Sequence, residues 1–314
     1  MKTKMPIGQL TAWLIVAISA PVLSLAGRVD WLSAVITFLI CIAVGCGVLF
    51  IDAQTPKWVR GLELAWAILL LGTIARESAS CWSDGAEVSL LPALLIVSAT
   101  FAVRNGAQYG ARSGAALLWI VLPGTLVVLL AGMGEVNVKY FSETSISNVW
   151  LLVPMLLLPI LGRHMAIDDK RKLAKPLLLG GALSIASVAW LTASMPSQVL
   201  TNAQNTFYEY SKGITLFGAA ERFEAVSACL LTFGWFALFS FLSAVVYELL
   251  EEGKNGFGRL GIWCCSGVAI LVMYNLPITL TLAGFLTLIF WGFLPFLTQA
   301  VGELRKLEKR RKIY

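Results

Sequence analysis

Charge and histidine are what this chain has least of. Asp, Glu, Lys and Arg make up 13% of its 314 residues, against roughly 25% in soluble domains, and His164 is its one histidine. So few charges cannot clothe a soluble globular surface, and chemistry that relies on histidine clusters is excluded with it. The six cysteines, Cys41, Cys46, Cys81, Cys229, Cys264 and Cys265, form no Cys-x-x-Cys pair and have no histidine at ligand spacing, so they read as small packing residues. A Gly-rich phosphate loop and a nucleophile–base set are also missing. No metal, no cofactor and no enzymatic activity are expected.

What fills the chain instead is apolar: 58% of the residues are hydrophobic and the mean hydropathy is +0.80. Runs of roughly 17 to 25 apolar residues, enough to cross a hydrocarbon core of about 30 Å, recur from end to end. The expectation is an all-α integral membrane protein with about ten transmembrane helices, near 7–27, 29–51, 59–81, 88–103, 112–132, 147–162, 176–195, 220–248, 258–275 and 278–300. The opening "MKTKMPIGQLTAWLIVAISAPVLSLAG" has the outline of a signal peptide. It is read as the first helix, because removing it would put the basic tail and the basic loops on opposite sides of the membrane.

With both termini cytoplasmic, Lys and Arg gather in the inner loops and the tail, while the outer loops hold only Arg28, Lys139 and Lys212. The formal net charge of +6 is thereby an expression of topology and not a sign of nucleic-acid binding. The basic cytoplasmic tail, 302–314, reads as a positive-inside stop or as a contact with anionic lipid headgroups.

Five spans before residue 133 and five after it divide one polytopic membrane domain, 1–314, into a first repeat over 7–132 and a second over 147–301. Because five is odd, the second repeat enters from the opposite side, as in secondary transporters built from inverted repeats, where the opening helix of each repeat is interrupted and holds substrate. Pro21 in "ISAPVLSLAG" and Pro154 and Pro159 in "SNVWLLVPMLLLPILG" are the interruption signals. Ser19, Pro21, Ser24, Gly27, Pro154 and Pro159 are therefore the expected substrate-binding residues, although prolines in membrane helices also mean mere kinks.

Arg76 and Glu77 stand side by side at the end of the third apolar run. Arg60 marks the inner edge of that run, which puts Arg76 about 24 Å further along a helix rising ~1.5 Å per residue, just below the outer surface. Arg76 can snorkel; Glu77 is too short to do so and needs a partner. Glu221 and Arg222, at the outer end of the eighth span, are the expected partners, making these four residues a gating or structural set. The outer loop over 196–220, rich in Asn, Gln, Ser and Thr, reads as a lid or receptor surface or as a solvated connector.

Two stretches carry a family resemblance. "ARESASCWSDGAEVSLLPALLIVSATFAVRNGAQYGARSGAAL", with its Arg-Glu pair and with Arg104, Gly106 and Arg112 in the following turn, resembles the spore germination permeases, the B subunits of nutrient germinant receptors. "YEYSKGITLFGAAERFEAVSACLLTFGWF" is similar to that family's outer loop and eighth helix, and "IGQLTAWLIVAI" and "DDKRKLAKPLL" fit the same register. The resemblance implies a LeuT-type 5+5 inverted repeat of the amino acid, polyamine and organocation transporter superfamily. It also implies a place in the spore inner membrane beside A-type and C-type receptor subunits, with an amino acid or similar nutrient as ligand. The chain is shorter than usual members of that family, and its first-helix break lacks their glycine-rich character. An ordinary secondary transporter of amino acids or related solutes, and a membrane scaffold without a ligand, are the alternative readings.

Overall fold

The computed structural model describes residues 4–51, 55–80, 90–143, 148–214, 223–252 and 258–311, and these contain helices and connectors but no strand. In a hydrocarbon solvent each backbone N–H and C=O must be satisfied within its own segment, which leaves the helix as the natural state of long apolar runs. In chain order the helices are α1 Ile7–Leu25, α2 Trp31–Phe50, α3 Lys57–Ser80, α4 Leu90–Val103 and α5 Ala107–Ala131. The short α6 Val153–Leu156 and α7 Leu158–Leu161 follow, then α8 Ala174–Ser194, α9 Ser197–Asn202 and α10 Thr206–Gly213. The chain ends with α11 Phe223–Glu252, α12 Gly258–Asn275, α13 Leu280–Thr287 and α14 Leu294–Arg311.

The protein is an all-α membrane protein. Among the described residues, 7 helices are long and apolar enough to cross a membrane: Ile7–Arg28, Trp31–Phe50, Lys57–Ala79, Ala107–Ala131, Lys170–Ser194, Phe223–Glu251 and Leu280–Leu304. The last of these joins α13 to α14 through a π-helical turn, Leu288–Phe293. Two shorter apolar stretches, Leu90–Val103 and Val149–His164, and the 18-residue α12 occupy the remaining expected windows. At 14 residues, α4 reaches only about 21 Å. Large side chains such as Trp119, Ile120, Leu126 and Val127 project outward from α5, a face that suits lipid and not water.

The expected interruption of the first helix is corrected by the structure. α1 runs unbroken through Pro21 and gives way only at a 3₁₀ turn, Ala26–Arg28. A lone proline removes one amide donor, and the buried packing of Ile18, Ala20, Val22 and Leu23 around it holds the helix together on both sides. The sixth segment is broken as expected. Pro154 and Pro159 stand near the starts of α6 and α7, separated by a turn at Leu157 and flanked by 3₁₀ turns Val149–Leu152 and Gly162–His164. Two missing donors within about two turns leave too few ladder bonds to sustain one straight helix.

α1 lies at the centre, packed against α5, α8 and α11. Since lipid tails are as apolar as leucine, close helix contact here depends on small residues that let backbones and rings approach. The Trp13 indole fits against Gly110 and Gly114 of α5 and donates its Nε1–H to the Ala237 carbonyl of α11 at 3.0 Å. Gly234 of α11 faces Ala20 of α1, and Gly72 of α3 faces the Ala269 carbonyl of α12. α3 packs on α12 and α4 on α11, with a buried Thr100–Ser266 hydroxyl pair at 2.6 Å joining α4 to α12.

Candidate functional site

Beyond the end of α1, the chain places Arg28 beside the end of α3. Arg28 Nη1 pairs with Glu77 Oε1, and the side chains are 38% and 19% exposed, so the pair is only partly screened by solvent. Glu221 and Arg222, the partners expected for Glu77, lie outside the described residues; the partner found is Arg28. Arg76, one residue before Glu77, has no ion-pair partner among the described residues. It opens instead onto a cleft of about 710 Å³ shared with Arg28, Glu77, Thr73 and Asn202. The far wall of the cleft is the start of α13, from Pro277 to Thr281.

The segment over 196–213 is not a solvated connector. α9 and α10 form a cap whose Phe207 and Tyr210 are buried. Thr206 Oγ1 accepts the Gly27 N–H at 2.7 Å, and Tyr210 Oη donates to the Leu129 carbonyl of α5 at 2.9 Å. Gly27 is required at this crossing, since a Cβ there would overlap the Leu200 carbonyl. Asn202, Ala203 and Gln204, between the two cap helices, form the rim of the cleft.

A second charged cluster sits at the opposite end of α3. Glu63 is fully buried, with Oε1 paired to Arg163 Nη2 and Oε2 lying 2.9 Å from His164 Nε2; the Arg163 and His164 side chains are each 5% exposed. Charges so placed are tolerated only when paired, because each ion loses its hydration. Nothing local in the sequence marks Glu63, which stands three residues beyond Arg60 at the inner end of the third apolar run. Arg163 is 100 residues away along the chain, a separation at which no local pattern shows the pairing. The same end of the molecule is held by Lys4 with Asp168 at 2.7 Å, by the Met5 N–H on the Ala166 carbonyl and by Lys170 on the Ile51 carbonyl. The hydrogen bond from Lys4 holds the Asp168 carboxyl below its ordinary 3.8 and raises Lys4 above 10.5. Both side chains are exposed, so the pair adds little to stability.

The expected substrate-binding residues fall into separate surroundings. Ser19 lines an apolar cavity of about 270 Å³ between α1, α5 and α8, with Val22, Leu118 and Ser187. Pro21 is buried in mid-helix, and the buried Ser24 Oγ has no hydrogen-bond partner among the described residues. Gly27 lies under the cap. Pro154 and Pro159 are buried in the broken segment, which packs on α1, α2 and α13. α1 thus touches the broken segment, and of three cavities among the described residues only the one beside Ser19 includes any of the six. No protein-family model matches this chain, and no curated protein matches its sequence.

Proposed function

We propose that the chain is a LeuT-type membrane permease subunit with a 5+5 inverted repeat, acting as the B-type component of a spore nutrient germinant receptor. The observation that carries the repeat is the pair of clamps on α3. Each repeat's opening segment closes on a 3₁₀ turn containing a Gly-Arg pair: Gly27-Arg28 after α1 and Gly162-Arg163 after α7. Arg28 binds Glu77 and Arg163 binds Glu63, both on α3 and about 21 Å apart along it at ~1.5 Å per residue. The turns that end the two opening segments therefore stand at opposite ends of α3, which is the placement expected if the second repeat enters the membrane from the opposite side. Helix pairing follows the same rule. α3, third in its repeat, packs on α12, and five spans on, α11 packs on α4.

In this reading, a small nutrient, an amino acid or a related solute, shifts the equilibrium between the arrangement described, in which the Arg28–Glu77 and Arg163–Glu63 pairs are both closed, and one in which either pair opens. It does so only to the extent that it binds one state better. A-type and C-type subunits in the spore inner membrane read the outcome, with both termini on the cytoplasmic side. Deleting the gene and testing germination against a panel of amino acids and sugars is the direct test. Loss of response to at least one nutrient is expected, and an unchanged response across the panel overturns the receptor assignment.

One observation favours the second reading, a secondary transporter. Glu63 beside His164 is a buried carboxylate with a titratable neighbour inside a membrane segment, the kind of group that proton-coupled carriers employ. Uptake of a nutrient by proteoliposomes under an imposed proton gradient, abolished by Glu63→Gln, would select carriage over sensing.

A further inference from the structure

The two charges at 76 and 77 have separate fates, and that separation defines a site. Glu77 is neutralised by Arg28 across the gap between α1 and α3. The Arg76 guanidinium lines the same cleft of about 710 Å³ with no ion-pair partner among the described residues, so the described lining, Arg28, Arg76 and Glu77, carries an excess positive charge. The volume falls within the roughly 300–1,000 Å³ of small-molecule sites. The start of α13 lines the same cleft through Thr279, Leu280 and Thr281, with Thr279 Oγ1 accepting the Leu282 N–H, so the positive end of that helix adds to the field there.

We infer that this cleft is the binding site for a small carboxylate-bearing solute, with Arg76 as the residue that holds the carboxylate. A guanidinium presents two parallel N–H donors at the spacing of carboxylate oxygens, which gives it geometric as well as electrostatic selectivity. Thr281, in the first turn of α13, brings a hydroxyl-bearing side chain to the cleft, and Asn202 brings an amide, whose Nδ2 also donates to the Gln198 carbonyl at 2.9 Å. The cap thereby contacts both the solute and, through Thr206, the end of α1. The inference deepens the permease reading and rests on it for the nutrient's identity, but the binding step itself belongs to this chain alone.

The test is ligand binding by the purified full chain in lipid nanodiscs, read as thermal stabilisation and as protection of Arg76 from phenylglyoxal. The probes are neutral L-amino acids, acetate and lactate, each beside its amide, together with inorganic phosphate. At least one carboxylate should stabilise the chain while its amide does not, and Arg76→Gln should weaken that binding by about tenfold or more, the scale of one charge-assisted contact. Arg76→Lys should lose less, and Thr281→Val, which leaves every charge in place, should weaken binding severalfold. Unliganded melting of all three variants should match the parent. Equal binding of an amide and its acid, equal binding of phosphate, undiminished binding by Arg76→Gln, or no stabilisation by any probe each overturns the site. Carboxylate binding that survives in a chain whose deletion leaves germination unchanged would refute the receptor assignment and keep the site. A germination defect with no carboxylate binding would do the reverse.

Discussion

At the scale of single residues, Glu63 carries the greatest structural load for the least visibility in sequence. Its carboxylate is fully buried and faces Arg163 and His164, so truncating it takes the neutralising carboxylate from a guanidinium that has little access to water. Glu63→Ala is expected to cost about 3–5 kcal/mol, the range for removing one partner of a buried pair. Glu63→Gln should cost less, because the amide oxygen still accepts from Arg163. Thermal unfolding in detergent distinguishes the two, and equal melting of both variants with the parent would show that the pair is not buried as described. Glu77 was legible as a residue in need of a partner, since a short acidic side chain below a membrane surface is costly on its own. The contact with Arg28 was not, because Arg28 looked like an ordinary outer-loop charge, and Glu221 and Arg222 lie outside the described residues.

At the scale of elements, periodicity and apolar length were sufficient to place nearly every helix, because a membrane leaves the backbone few alternatives. Proline was a poorer guide. Pro21 marked no break and the Pro154–Pro159 pair did, so the number of missing donors per turn decided the matter and not the presence of proline. The cap made by α9 and α10 escaped the composition of its loop: Asn, Gln, Ser and Thr dominate the segment, yet Phe207 and Tyr210 are the residues that bury it. Packing of α1 depends on what its neighbours lack. A Cβ at Gly114 would fall on the Trp13 indole, whose position is also held by its bond to Ala237. Gly114→Val should therefore destabilise by about 1–3 kcal/mol through overpacking. Gly61, where a Cβ would meet nothing within 4 Å, supplies the control: Gly61→Ala should melt with the parent or slightly above it, since alanine is the better helix former. Equal melting of the Gly114 and Gly61 variants would mean that α1 and α5 do not meet at Trp13.

At the scale of the whole molecule, the contacts divide into two faces. One holds Met5 with Ala166, Lys170 with Ile51, and Gln299 with Thr55. The other holds Arg28 with Glu77, Gly27 with Thr206, and the Asn137 N–H with the Ala193 carbonyl. The second set falls in those loops that the distribution of Lys and Arg assigns to the outside, and the first in those it assigns to the inside. Packing thus groups these contacts into two sets, and the charge rule alone assigns one of them to the cytoplasmic side. If the proposed inversion of the second repeat is right, the junction after α5 must face outward and the loop before α8 inward. Alkaline phosphatase fused after Lys139 should be active and green fluorescent protein dark there, while fusions after Lys172 should show the opposite pattern. Reporters of the same activity at both positions would leave no room for an odd number of crossings between them. The broken segment would then not cross the membrane, the two halves would not match span for span, and the placement of the clamps at opposite ends of α3 would need another origin.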